Sequence, residues 1–482
     1  MSARSLTPGS ARQNSLSFAV IVLAAGEGKR FRSSKPKVLH ALCGAPLLGH
    51  VLSAIEPLAA TKTVVVVGRA ADEVKAVAKG LTRRKLSFAI QAEQLGTADA
   101  ARIGDEALGS FDGAVLIVPG DIPLITTETL QALIDHHRAS KAAATVLTAE
   151  LDDPTGYGRV IRTGHGAVER IVEETDATPD ERNTTEVNSS VWVFDRAALR
   201  SALTRIERVN AQKEFYLTDV VAVLREKGEQ VEAHTTPGPT EILGVNSRVQ
   251  LADVAALMRR RIAERHMLAG VTIIDPATTF IDSTVEIGPD TILHPLTHLH
   301  GRTRIGTACE IGPNVKLVDT HVGDGAGVIN AVANEAKIGP RAQVGPFTYL
   351  RPGAVLAEGA KAGTYVEVKK SVIGKGSKVP HLSYIGDAEI GANVNIGAGT
   401  ITCNYDGETG KKSKTVIGDD VLIGSDTMLV APVRVGRGAV TGAGSVVSRD
   451  IPAGQVAVGA PARPVRKRRS KPTAKKKGEH RK

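Results

Sequence analysis

Ile305-Gly306-Thr307-Ala308-Cys309-Glu310-Ile311-Gly312 places an aliphatic residue before glycine twice, six positions apart. The pair returns at Ile338-Gly339 and Val344-Gly345, and again at Ile417-Gly418 and Ile423-Gly424. Double steps join Ile373-Gly374 to Ile385-Gly386 and Ile423-Gly424 to Val435-Gly436. An aliphatic side chain at every sixth position is the mark of a parallel β-helix built from hexapeptide repeats. Three such units close one triangular coil, with aliphatic side chains stacked inside and glycines expected at the tight corners. Each coil rises by one strand spacing, about 4.8 Å. With about 18 residues per coil, the stretch 269–460 holds about ten coils.

Working outward, Leu251, Val254, Met258 and Ile262 recur at three- and four-residue spacing among arginines, which predicts an amphipathic linker helix over 246–268. Before it, over 18–245, short apolar runs such as Ala19–Leu23, Thr63–Val67 and Ala114–Val118 alternate with helix-like segments. Runs apolar throughout suit strands of a parallel sheet covered on both faces, so this part reads as a doubly wound, Rossmann-like α/β domain. Residues 1–17 are small and polar, lack the apolar centre of a secretory signal, and read as a disordered extension.

Composition narrows the class. Only 3% of the chain is aromatic, and 49 glycines point to many tight turns. No uninterrupted apolar stretch of about 20 residues occurs, so no membrane span is expected. Cys43, Cys309 and Cys403 are odd in number and far apart, which favours neither a disulfide framework nor a zinc site and suggests a reduced, cytoplasmic setting. The net charge of +10 is local: residues 461–482 hold 11 Lys or Arg against one Glu, and the other 460 residues carry 50 of each sign. Without interleaved aromatics for base stacking, this block reads as a solvated, disordered tail rather than a nucleic-acid site. His294, His298 and His300 cluster, but without a ligand pattern they read as turn or surface residues.

After the first strand comes Leu23-Ala24-Ala25-Gly26-Glu27-Gly28-Lys29-Arg30, then Lys35-Pro36-Lys37. Glycines at a strand-to-helix turn let backbone N–H groups approach phosphates. The spacing lacks the third glycine of a dinucleotide fingerprint and the GK[ST] of a P-loop. The string resembles the LxxGxGTxM…PK signature of sugar nucleotidyltransferases. Gln91-Ala92-Glu93-Gln94-Leu95-Gly96-Thr97, Pro119-Gly120-Asp121, Gly156-Tyr157-Gly158-Arg159, Ile171-Val172-Glu173, Glu186-Val187-Asn188 and Gly244-Val245-Asn246 follow in order. With the repeat half, residues 18 to about 460 resemble the family of bifunctional N-acetylglucosamine-1-phosphate uridyltransferase/glucosamine-1-phosphate N-acetyltransferases. The left hand of the β-helix is implied by that resemblance, not by the periodicity.

The resemblance implies that Leu23, Ala24, Ala25, Gly26, Arg30, Lys37, Pro119 and Gly120 surround the nucleotide. Gln91, Gly96 and Thr97 would contact uracil, and Gly158, Glu173 and Asn188 the sugar. It implies that Asp121 and Asn246 hold Mg²⁺, a hard cation suited to oxygen ligands. Taken singly, Asp121 reads as a strand-end turn residue and Asn246 as the cap of the linker helix. Lys29, Phe31 and Pro119 depart from the family pattern.

In the repeat half, polar residues break the rhythm at Arg351-Pro352-Gly353, Lys369-Lys370, His381-Leu382-Ser383-Tyr384 and Asn395–Thr400. A stretch without register follows, from Cys403-Asn404-Tyr405 to Ile417. Excursions from a solenoid commonly carry binding function. A lone histidine reads as a surface residue; within this constellation the resemblance makes His381 the general base for an attacking amine. It implies Arg351, Lys369, Tyr384 and Asn395 for the sugar phosphate, with Glu367 orienting His381. It implies Ala398, Asn404, Tyr405, Ser425, Ala443 and Ala460 for acetyl-CoA. Ala460 stands where many relatives carry Arg, leaving Arg463, Arg466 or the tail to meet the coenzyme phosphate.

The implied enzyme acetylates glucosamine 1-phosphate with acetyl-CoA. It then joins N-acetylglucosamine 1-phosphate to UTP, feeding cell-envelope synthesis. The β-helix implies a homotrimer. A hexapeptide helix also occurs as a mere assembly module, so a single-activity nucleotidyltransferase remains the alternative.

Overall fold

The computed structural model describes residues 17–468. The expected extension therefore falls outside the described residues, except for Ser17, as does the tail from residue 469 onward. The chain forms two compact units, 1–256 and 257–482, divided inside the helix Arg248–Leu268.

The first unit is a mixed sheet. Its strands lie in the order Val231–Thr235, Ala144–Glu150, Glu186–Asp195, Ala114–Pro119, Phe18–Ala24, Lys62–Val67 and Leu86–Ile90. The apolar runs pair in parallel, with Phe18–Ala24 between Ala114–Pro119 and Lys62–Val67. Glu186–Asp195 departs from the expected parallel pattern. It runs antiparallel to both neighbours, with a bulge between Asn188 and Trp192. Alternate side chains of the first strand enter two cores. Val20 and Val22 pack with Leu48, Leu52 and Leu130, whereas Ala19 and Ile21 pack with Ala101, Trp192 and Val220. With both faces covered, the ends of the parallel strands are where the backbone opens toward ligand.

The second unit is a left-handed β-helix with three parallel sheets as its faces. Ile273, Leu293, Ile311, Val328 and Val344 stack inward on one face, and Leu299, Leu317, Ala333 and Leu350 on the next. Coils are slightly shorter than expected: Gly327 lies opposite Gln343, Lys361 opposite Lys378 and Lys337 opposite Val355, steps of 16 to 18 residues. One step is longer. Ile396 lies opposite Ile423, a step of 27 residues, and the surplus is extruded around 404–414. Strand Arg463–Lys467 corrects the expected tail from 461. It turns back antiparallel on Gln455–Val458, and Arg468 donates to the carbonyls of Asp420 and Gly438.

Some glycines take the tight corners as expected, such as Gly325, Gly359 and Gly376, but most of those in the repeat pairs do a different job. The corners include Asn314, Asn330, Phe347, Tyr365, Leu382 and Asp426, all non-glycine residues at positive φ. The glycine after the aliphatic residue has such a φ at Gly312 and Gly345, both 103°, but not at Gly306, Gly339, Gly374, Gly418 or Gly424, where the constraint is the coil above. A Cβ on Gly374 would lie 2.3 Å from the carbonyl oxygen of Gly391. Two kinds of glycine therefore differ in cost. Gly374→Ala forces backbone apart and should destabilise by about 1–3 kcal/mol. Gly359→Ala, at φ 66° with nothing within 4 Å, should cost about 1–2 kcal/mol, from the left-handed conformation alone. Thermal unfolding should show the larger drop for Gly374→Ala; equal or reversed drops would refute the close-approach account.

Candidate active sites

In the first unit a cavity of about 420 Å³ opens at the ends of the central strands. Thirteen expected residues line it: Leu23, Ala25, Gly26, Lys37, Gln91, Gly96, Thr97, Pro119, Asp121, Gly158, Glu173, Asn188 and Asn246. Three do not. Ala24 is buried in its strand, Gly120 is tied by its N–H to the Leu23 carbonyl, and Arg30 is exposed on the short helix Lys29–Phe31.

The strand-to-helix turn is shaped around Lys37. Gly28 adopts φ 65°, and a Cβ there would lie 2.7 Å from the Lys37 Cβ. Lys37 is buried, and its ammonium donates to the Asp121 carboxylate and, at 2.9 Å, to Asn246 Oδ1. The expected cap role of Asn246 belongs instead to Ser247, whose Oγ accepts from the N–H of Gln250. Two hard oxygen donors thus already face one positive charge. That arrangement fits Mg²⁺, which binds one or two protein carboxylates and completes its shell with water and phosphate. Among the described residues no group of three or more His, Cys, Asp or Glu is placed to hold a metal, so the protein alone offers no closed cage.

The sugar side is built on the antiparallel strand and its hairpin. Asn188 Oδ1 accepts from the Ser190 N–H at 2.8 Å, which supports the left-handed turn at Ser190. Burial pushes the Glu173 carboxyl above its ordinary range, against the opposing hydrogen bond from the Thr218 hydroxyl. Among the lining residues given no role from the sequence are Gln94 and Tyr157. Gln94 donates to the Ala25 carbonyl at 2.6 Å, and Tyr157 accepts from the Gly244 N–H at 3.4 Å. Both bridge distant segments, which no local pattern records. The departures from the family pattern are also accounted for: Lys29 pairs with Glu27, Phe31 is buried against the His40 ring, and Pro119 lines the cavity.

In the second unit the expected residues lie on outward faces and corners. Tyr349, Glu367 and Tyr384 occupy one column of successive coils. Arg351 donates to Glu367 at 2.9 Å, so Glu367 is engaged by Arg351 rather than by His381. Lys369 lies opposite Gly386 in the next coil. Asn404 is buried where the excursion leaves the coil, and its amide donates to Asp387 and to the Tyr384 hydroxyl. Tyr405 is exposed and pairs with Lys412 across the excursion. His381 is exposed beside the Leu382 corner. Asn395 follows Lys378 on a neighbouring face.

Ala398, Ser425 and Ala443 form a ridge along one corner. The N–H of Asp426 reaches the Ala398 carbonyl, and that of Gly444 reaches the Ser425 carbonyl. A Cβ on Gly397 would meet the Ser425 nitrogen at 2.4 Å, so small residues are imposed here. Ala460 is exposed near the final strand, on which Arg463 and Arg466 also lie exposed. Of the three expected surface histidines, His294 reaches Glu310, His300 reaches Asp282, and His298 stacks on Phe280.

Comparison with known proteins agrees with this division. The nucleotidyl transferase family model matches residues 19–238, and the bacterial transferase hexapeptide model matches residues 414–449. The bifunctional protein GlmU of Mycolicibacterium vanbaalenii is 53% identical over 92% of this chain and 90% of its own. Its namesake from Mycobacterium tuberculosis is 52% identical over the same shares. That of Streptomyces avermitilis is 51% identical over 91% of each chain.

Proposed function

The chain belongs to the bifunctional GlmU family, and on that footing we propose how its own residues carry two successive transfers. The β-helix half moves acetyl from acetyl-CoA to the amine of glucosamine 1-phosphate. The α/β half joins the resulting N-acetylglucosamine 1-phosphate to UTP, giving UDP-N-acetylglucosamine and pyrophosphate. The observation that carries the second step is the convergence of Lys37, Asp121 and Asn246 at the mouth of one cavity with Gln91 and Glu173.

In uridylyl transfer a phosphate oxygen of the sugar phosphate attacks the α-phosphorus of UTP, and the bond to pyrophosphate breaks. The attacking oxygen is already anionic, so no general base is needed. The protein's task is positioning and charge neutralisation. Mg²⁺, when bound, supplies positive charge to the triphosphate oxygens, with Asp121 and Asn246 as its holders. Lys37 leaves these two residues and turns its ammonium toward phosphate. Gln91, Gly96 and Thr97 hold the base, and Gly158, Glu173 and Asn188 the sugar. Arg30, exposed at the turn, adds charge outside the cavity.

In acetyl transfer His381 takes the proton from the glucosamine amine as it attacks the thioester carbon, and the CoA thiol leaves. Arg351 and Lys369 meet the sugar phosphate, while Tyr384, Asn395, Asn404 and Tyr405 hold the sugar and the acetyl end of the coenzyme. Ala398, Ser425 and Ala443 give the coenzyme a smooth ridge, and Arg463 or Arg466 meets its phosphates beside Ala460. Apart from the buried Asn404 these residues face outward, which supports a homotrimer whose acetyl-transfer sites lie between adjacent β-helices. Phe347, Tyr365 and Leu382 strengthen that reading, with 56%, 59% and 60% of their surfaces exposed on successive corners. No described helix is long and apolar enough to cross a membrane.

Purified protein given glucosamine 1-phosphate, acetyl-CoA, UTP and Mg²⁺ should release both CoA thiol and pyrophosphate. His381→Ala should slow thiol release by about 10²–10⁴-fold and spare pyrophosphate release from N-acetylglucosamine 1-phosphate. Unchanged thiol release would leave the β-helix as an assembly module. Electron paramagnetic resonance with Mn²⁺ tests the metal residues. Without nucleotide, Lys37→Met should bind Mn²⁺ more tightly than the parent, because a competing ammonium is gone; equal or weaker binding would remove Asp121 and Asn246 from that role. Sedimentation should find a trimer, and Phe347→Asp, a residue tolerant of the corner geometry, should shift it toward monomer. A monomeric parent would end the shared-site proposal.

A further inference from the structure

Gln91 sits in the cavity wall with 4% of its surface exposed, so its amide orientation is set by its neighbours. Nε2 donates to the Gly96 carbonyl at 3.1 Å and to Asp99 Oδ2 at 2.9 Å. Those two bonds use both amide hydrogens, and both partners are acceptors. Oε1 is then the polar atom left for a ligand, and it can only accept. Asp99 cannot turn away. It is buried in the first turn of the helix Thr97–Leu108, and its other oxygen accepts from Arg102 at 2.7 Å. Arg102 is steadied in turn by Glu106 at 2.6 Å.

Beside this acceptor stands a donor. Gly96 also lines the cavity, and its backbone N–H has no partner among the described residues. Its position is fixed, because a Cβ there would lie 2.5 Å from the Phe215 carbonyl oxygen. A donor next to an acceptor matches the O4 and N3–H edge of uracil. Cytosine presents the reverse, an amino group at C4 and an unprotonated N3. We infer that Asp99 is a positioning residue that locks the Gln91 amide and thereby sets the preference for uracil over cytosine. The inference rests on the uridylyl-transfer reading of this cavity.

The test compares kcat/KM for UTP, CTP and 3-methyl-UTP, which lacks the N3–H, in the parent and in Asp99→Asn. The parent should use CTP and 3-methyl-UTP at least about 10-fold less well than UTP, since a site built to pair a polar group rejects analogues that leave it unpaired. Asp99→Asn offers Gln91 an amide that can donate, which frees the Gln91 side chain to turn. The UTP-to-CTP ratio should then fall by about 10-fold or more, with the far-ultraviolet circular dichroism of the parent as the check that the α/β unit is folded. An unchanged ratio, with all nucleotides slowed alike, would make Asp99 merely structural and overturn the inference. If Asp99→Asn fails to fold, the exposed-side variant Arg102→Gln should lower the ratio in the same direction; no change there overturns it equally. Use of 3-methyl-UTP as readily as UTP by the parent would also overturn it. A parent that releases no pyrophosphate from UTP would instead sink the transfer reading itself.

Discussion

Each coil of the β-helix lies one strand spacing below the next, and that fixed separation governs what each position of the repeat can hold. The aliphatic residue must point inward, because its counterpart one coil away does the same. Where the residue after it is glycine, as at Gly306, Gly339 and Gly374, the next coil's backbone lies where a Cβ would go. Small hydroxyl side chains such as Thr303, Ser377 and Thr427 are buried by donating to backbone carbonyls, and larger polar side chains go outward. The larger polar side chains of this half therefore lie on faces and corners, and Asn404 is buried only where the chain leaves the coil.

The α/β unit solves the opposite problem. Its sheet is sealed on both faces by apolar cores, so polar groups gather at the strand ends. Three segments far apart in sequence, at Lys37, Asp121 and Asn246, meet there in one charged contact. One acidic and one basic group compensate each other without substrate. Burying Asp121 without Lys37 would leave a carboxylate short of partners. The lysine that balances Asp121 is thus the one proposed to meet the triphosphate.

Much of this was legible from residues alone, because periodicity and motif order are local properties. The Ile-Gly pairs announced the coils, and the motifs from Leu23 to Asn246 hold thirteen of the residues that line the cavity. What sequence hid was relational. The conformation of Phe347, Tyr365 and Leu382 at corners is set by coil closure, not by their own preferences. The reversal of Glu186–Asp195 depends on which strands flank it. The engagement of Glu367 by Arg351 joins residues one coil apart, and the bond between Gln91 and Asp99 crosses a turn whose shape no spacing rule gives. Arg463–Lys467 read as tail because its charge pattern outweighed any sign of pairing.

That last strand has a consequence for assembly. A stack of coils ends in a row of unsatisfied N–H and C=O groups, and such an edge can recruit another chain. Here the row is met by a strand running the opposite way, dense in positive charge, with Arg468 fastening its end to two carbonyls. An incoming parallel rung finds neither the register nor the neutral surface it needs. The same few residues, Arg463 and Arg466 among them, thereby close that edge of the stack.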